Sequence, residues 1–69
     1  MKIAQIEIGH IYECKVSGRL VPVHVRSQRE RWTGKRSLTY FEVHNLATSR
    51  MLLVSAARLR RQMDAKEIQ

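Results

Sequence analysis

"RSQRERWTGKR", Arg26 to Arg36, holds the chain's only tryptophan, Trp32, among five cationic side chains. Its reading decides how the segments on either side are joined. Upstream, "RLVPVHVRS" alternates, with Val21, Val23 and Val25 on one face and Pro22, His24 and Arg26 on the other. Three β-branched residues at spacing two predict a strand. Downstream, "LTYFEVHN" resumes the alternation: Phe41 and Val43 share one face, and Tyr40, Glu42 and His44 share the other. Between Ser27 and Ser37 there is no apolar periodicity, and Gly34 interrupts the chain. The stretch is therefore expected to be a long loop between two strands, and long loops on small domains often carry function.

The rest of the chain continues the β pattern. In "IYECKV", Tyr12, Cys14 and Val16 alternate with Ile11, Glu13 and Lys15, the period of a half-buried strand. Ser17-Gly18 reads as a tight turn with Gly18 at positive φ. Pro22 has no N–H to give a ladder, so its backbone is expected at an edge or a bulge. "NLATSR" is a turn with Leu46 tucked beneath it, and "MLLV" is a short fourth strand with Leu52 and Val54 inward. Ser55 is placed to cap a helical turn through "SAARL". Two continuations stay open beyond it: a fifth strand at "LRR", or a helix to about Lys66. Residues 62–69 are read as a frayed or helical tail.

Four to five short antiparallel strands, polar turns and one helical turn near the C-terminus make the chain mainly all-β. The expected architecture is a single domain, residues 1–69, with a small closed or nearly closed barrel over about residues 9–61. Closure also removes the exposed edges on which a basic meander would aggregate.

Composition narrows the function. Sixty-nine residues with a hydrophobic fraction of 43% suffice for one modest core. Thirteen Lys and Arg against six Asp and Glu give +7, and the pI is near 10.6. Such a bias points to polyanions: nucleic acid, an anionic membrane surface or an acidic protein partner. The cations cluster rather than intersperse, which favours binding over mere solubility. A lone cysteine, Cys14, excludes an intramolecular disulfide and suits a reducing cytosol. "MLLV", the longest apolar run, is too short to span a bilayer, and "MKIAQIEIGH" lacks the apolar stretch of a signal peptide. A cytoplasmic protein with no membrane association and no cofactor is expected.

Gly9-His10-Ile11-Tyr12, then "VPVHV", "FEVHNLATSR" and "SAARLR", follow one another at the spacing of a small SH3-like barrel. The "SAA" turn resembles the helical turn that precedes the last strand of that fold. The chain is also similar to small uncharacterised basic proteins of phages and mobile elements, which share an "NL-x-T-x-R … SA-x-x-LR" ending. The likeness covers about Gly9 to Arg61. It implies a fold more than a function, since SH3-like barrels bind RNA, DNA, modified tails and proline-rich peptides. The Ser27–Ser37 connection departs from the pattern, being long for so small a barrel.

Three groups of residues carry the functional expectation. In the first, Arg26, Arg29, Arg31, Lys35 and Arg36 less Glu30 give a local excess of four positive charges. Such a cluster attracts phosphates through counterion release, and an exposed Trp32 beside it adds base stacking. Alternatively Trp32 folds back as a lid over the barrel end, with the arginines solvated. The second group is Arg58, Arg60 and Arg61. A strand puts Arg58 and Arg60 on one face, and a helix does so for Arg58 and Arg61. The third is an outward patch of Tyr40, His44, Met51 and Leu53, suited to a partner or a second copy of the chain.

Metal and catalytic signals are weak. His10, Cys14, His24 and His44 match no zinc-ligand spacing, and Cys14 reads as a small core residue. His44, Glu42 and Arg50 are the residue types of a small ribonuclease but are marked only by nearness in sequence. The leading expectation is a non-enzymatic nucleic-acid-binding module of little sequence specificity. Single strands or RNA are favoured over duplex DNA, because no recognition helix is evident. The alternative is a protein-interaction adaptor or regulator docking an acidic partner. A small ribonuclease is a third reading, and a homodimer is compatible with each.

Overall fold

A computed structural model describes residues 2–64 and 66. Its strands are β1 (Ile11–Val16), β2 (Arg19–Thr33), β3 (Arg36–Asn45), β4 (Arg50–Ser55) and β5 (Leu59–Gln62), all antiparallel, in the order β4-β3-β2-β1-β5. Short 3-10 turns occupy Ile3–Gln5 and Ala56–Arg58. The protein is a small all-β fold.

One face of the sheet makes the core. Tyr12 and Cys14 of β1, Val23 and Val25 of β2, Phe41 and Val43 of β3, Val54 of β4 and Leu59 of β5 are buried together with Ile6 and Ala56. Among the described residues no α-helix covers this face. The sheet must therefore coil about its own apolar side, as the right-handed twist of strands allows. No ladder joins the edge strands β4 and β5 among the described residues, so the sheet is open. The Ala56–Arg58 turn links these two edges.

The turns show how local chemistry sets the register. Ser17 (φ 50) and Gly18 (φ 80) both take positive φ between β1 and β2, the pattern of a type I′ hairpin turn. The buried Asn45 closes the β3–β4 turn, its Oδ1 accepting from the Ala47 N–H at 2.9 Å and its carbonyl from the Ser49 N–H at 2.7 Å. Tyr12 ties down the N-terminal segment. Its hydroxyl accepts from the Glu7 N–H at 2.8 Å and faces the Gln5 carbonyl at 3.4 Å.

Four expectations are corrected. The stretch from Ser27 to Ser37 is not a loop: β2 runs unbroken to Thr33 and pairs with β3 down to Thr33↔Arg36. Only Gly34-Lys35 connects them, with Gly34 (φ 59) at the first central position, as a type II′ turn requires. Pro22 lies in a central strand, not at an edge. Its carbonyl accepts from the Leu46 N–H at 3.0 Å, so its nitrogen faces the β3 side, one residue before the ladder's first pair, Val23↔Asn45. Ser55 precedes the 3-10 turn but makes no capping hydrogen bond with its side chain. Of the two continuations left open beyond the turn, the chain takes the strand, β5, and Gln62, assigned to the tail, belongs to it. Of that tail, residues 65 and 67–69 lie outside the described residues.

Candidate nucleic-acid interface

The hairpin formed by the second half of β2 and the first half of β3 takes its character from a bulge. Val25 pairs with Val43 and Ser27 with Glu42, leaving Arg26 as the extra residue. Before the bulge, the odd positions Val23 and Val25 point into the core. After it, the phase inverts, and Gln28, Glu30 and Trp32 take the core side, opposite Phe41, Thr39 and Ser37. Arg29, Arg31 and Thr33 move to the outer face, opposite Tyr40, Leu38 and Arg36.

Trp32 answers the question its neighbours raise. It lies on the core side of the sheet but beyond the end of the core, where the hairpin offers only polar partners, and it is 74% exposed. The lid reading is therefore overturned. Trp32 also stands on the opposite face of the hairpin from Arg29 and Arg31, so the tryptophan and these arginines flank the arm from two sides.

The outer face brings together groups that are separate in sequence. The Arg31 guanidinium lies 5.9 Å from the centroid of the Tyr40 ring, within cation–π reach. The Arg29 Nη2 donates to the Glu42 Oε2 at 3.2 Å, a solvent-exposed pair of small energetic weight. Across β3, His44 and Glu42 stand opposite Met51 and Leu53 of β4. Met51 and Leu53 are exposed, and His44 and Tyr40 half-buried. A shallow groove runs between Arg29, Arg31 and Tyr40 on one side and Met51 and Leu53 on the other. Arg29 and Arg31 of the basic stretch thus share one surface with the apolar patch. Glu42 trims the arm's charge: Arg26, Arg29, Arg31, Lys35 and Arg36 against Glu30 and Glu42 leave +3.

The second basic group divides. Arg61 stands opposite Glu13 and forms an ion pair with it at 3.6 Å. The β1–β5 register shifts between Glu13 and Cys14, which leaves Arg60 as the extra residue. Arg60 and Arg58 instead line a notch with Lys15, Ser17, Gly18 and Ser55. Sequence alone gives Lys15 no prominence; its one signal is an outward position on an alternating strand.

Other candidates separate or are occupied. Arg50 pairs with the buried Asn45, on the face opposite Glu42 and His44, so the ribonuclease trio does not converge. His24 and His44 are cross-strand neighbours, with His24 Nε2 at 3.0 Å from the Gly9 carbonyl. His10 is engaged by Glu7 and by Gln62, each at 3.0 Å. Cys14 is fully buried, and burial raises its thiol pKa while the nearby Arg58 charge opposes the rise. No family model, curated protein or solved structure matches the chain.

Proposed function

We propose that the chain is a non-enzymatic nucleic-acid-binding module that grips a single strand or RNA with the β2–β3 arm. The observation that carries this reading is the arm itself: an exposed tryptophan at its end with Lys35 and Arg36, and Arg29 and Arg31 on its outer face. Arg29 and Arg31 recur at every second residue, about 6.8 Å apart along a strand, and present their charge to a phosphate backbone. Trp32 offers a ring that any base can stack on, so sequence preference is slight and salt dependence steep. The fold belonging to this reading is a small SH3-like barrel of the kind found in basic phage and mobile-element proteins. The strand order and the 3-10 turn between the two edges support it. A reducing, cytoplasmic setting suits the single buried thiol.

The test is a tryptophan fluorescence titration with single-stranded DNA, duplex DNA and RNA at low and near-physiological salt. Expected are red-shifted emission in the free protein, quenching by single strands or RNA, and affinity that falls steeply as salt rises. Emission and direct binding assays indifferent to all three polymers would overturn the proposal.

One observation favours a second reading, an adaptor for an acidic protein. Met51 and Leu53 form an apolar anchor beside Arg29 and Arg31, the pairing that an acidic segment with an apolar side chain would match. Pull-down from lysate before and after nuclease treatment separates the two, because only a protein partner survives the nuclease.

A further inference from the structure

The notch at the β1–β2 turn has a composition that the arm does not explain. Lys15 projects from β1, Arg60 from the β5 bulge and Arg58 from the 3-10 turn, and all three line it. Three like charges around one recess repel one another, and among the described residues no carboxylate lines it. Glu13, which borders the adjoining groove, is held by Arg61. Small residues, Gly18 and Ala57, leave the recess open, and two hydroxyls stand at it, Ser17 and Ser55. Ser55 does not use its hydroxyl to cap the turn that follows it.

We propose that this notch is a phosphate-binding site. Lys15, Arg58 and Arg60 neutralise the group, and the hydroxyls of Ser17 and Ser55 donate to its oxygens. The notch also continues the arm. Ser55 is the cross-strand partner of Tyr40, whose ring lies beneath Arg31. Directly paired residues are about 4.5–5.5 Å apart, so a strand leaving the Arg31–Tyr40 surface reaches Ser55 in one step. Phosphate binding in the notch stands by itself; its role as the next station of a nucleic-acid track rests on the reading of the arm.

The test follows backbone amides and the Trp32 indole by heteronuclear NMR, with inorganic pyrophosphate in one titration and a short oligothymidylate in another. The site predicts saturable shifts at Gly18, Ser55 and Ala57 with pyrophosphate, with the Trp32 indole unmoved. The oligonucleotide should move the same amides together with the indole. Lys15→Gln, Arg58→Gln and Arg60→Gln combined should abolish the notch shifts. The same variant should lower the oligonucleotide salt slope by about 0.7 for each phosphate it no longer neutralises. Arg60→Gln alone, at an exposed bulge position, serves if the triple variant does not fold. Notch shifts with pyrophosphate alone support the site and identify free phosphate as its ligand class. An indole response with silent notch amides overturns the site and leaves the arm standing. Shifts that persist in the charge variants overturn it as well.

Discussion

Replacing Trp32 by alanine separates a binding ring from a packing ring, because the structure assigns the two roles very different energies. Trp32 is 74% exposed, so about a quarter of its surface is covered. A tryptophan can bury up to about 250 Å², so the covered part is roughly 65 Å². At about 25 cal/mol per Å² this contributes some 1.6 kcal/mol, an upper bound because the unfolded chain already covers part of that surface. A buried tryptophan cut to alanine costs about 3–5 kcal/mol. Stacking on a base is worth roughly 1–3 kcal/mol, a five- to 150-fold loss of affinity when the ring is removed. Trp32→Ala should therefore lose less than about 1.6 kcal/mol in urea unfolding by circular dichroism. Its affinity for labelled single-stranded DNA or RNA, measured by anisotropy, should fall at least fivefold by the same stacking estimate. A stability loss of about 3 kcal/mol or more with unchanged affinity would refute both the exposure and the stacking argument.

Other perturbations address separate links of the reasoning. Arg29→Ala with Arg31→Ala should reduce the salt slope of single-strand binding by about 1.4, two phosphates at roughly 0.7 each, with little change in thermal stability; an unchanged slope would remove these arginines from the interface. Tyr12→Phe leaves the Glu7 N–H without its partner and should cost about 1–2 kcal/mol in denaturant unfolding. Gly34→Ala meets no neighbouring atom but is forced to positive φ, and a cost of about 1–2 kcal/mol in a thermal melt is expected. The Cys14 thiol has a raised pKa in the folded state, chiefly through burial. Its contribution to stability is therefore full below the unfolded-state thiol pKa and is lost as pH rises through the folded one. Cys14→Val should flatten the alkaline fall of stability relative to the parent, measured by urea unfolding across that range, and parallel curves would refute it.

The core was legible because burial enforces alternation. Tyr12, Cys14, Val23, Val25, Phe41, Val43 and Val54 all take the inward positions that a period of two implies. The Ser17-Gly18 turn was legible for a related reason, since few residues tolerate positive φ at two successive positions. The hairpin from Ser27 to Ser37 was not. Its strands extend past the end of the core, so neither face is buried and nothing selects apolar residues at every second position. A strand exposed on both faces carries the composition of a loop, and ladder hydrogen bonds rather than side-chain burial hold it. The Gly34-Lys35 turn was the available signal: glycine at the first of two connecting residues is a hairpin signature. The length of the basic stretch obscured it.

The candidate site shows how much one residue can hide. Adjacency in sequence groups Trp32 with the arginines around it. On a regular strand carrying on from Val25, Arg29 and Arg31 would face the core side and Trp32 the outside. The Arg26 bulge exchanges them. That exchange puts Arg31 over Tyr40 and Arg29 beside Glu42, and it turns Trp32 to the far side of the arm. It also joins the arginines to Met51 and Leu53, which belong to a strand two ladders away. A bulge has no reliable composition, because what defines it is a mismatch with the partner strand. The surface is therefore encoded in the pairing of β2 with β3, and a residue inserted or deleted between Val25 and Ser27 would rearrange it more than the loss of any single arginine.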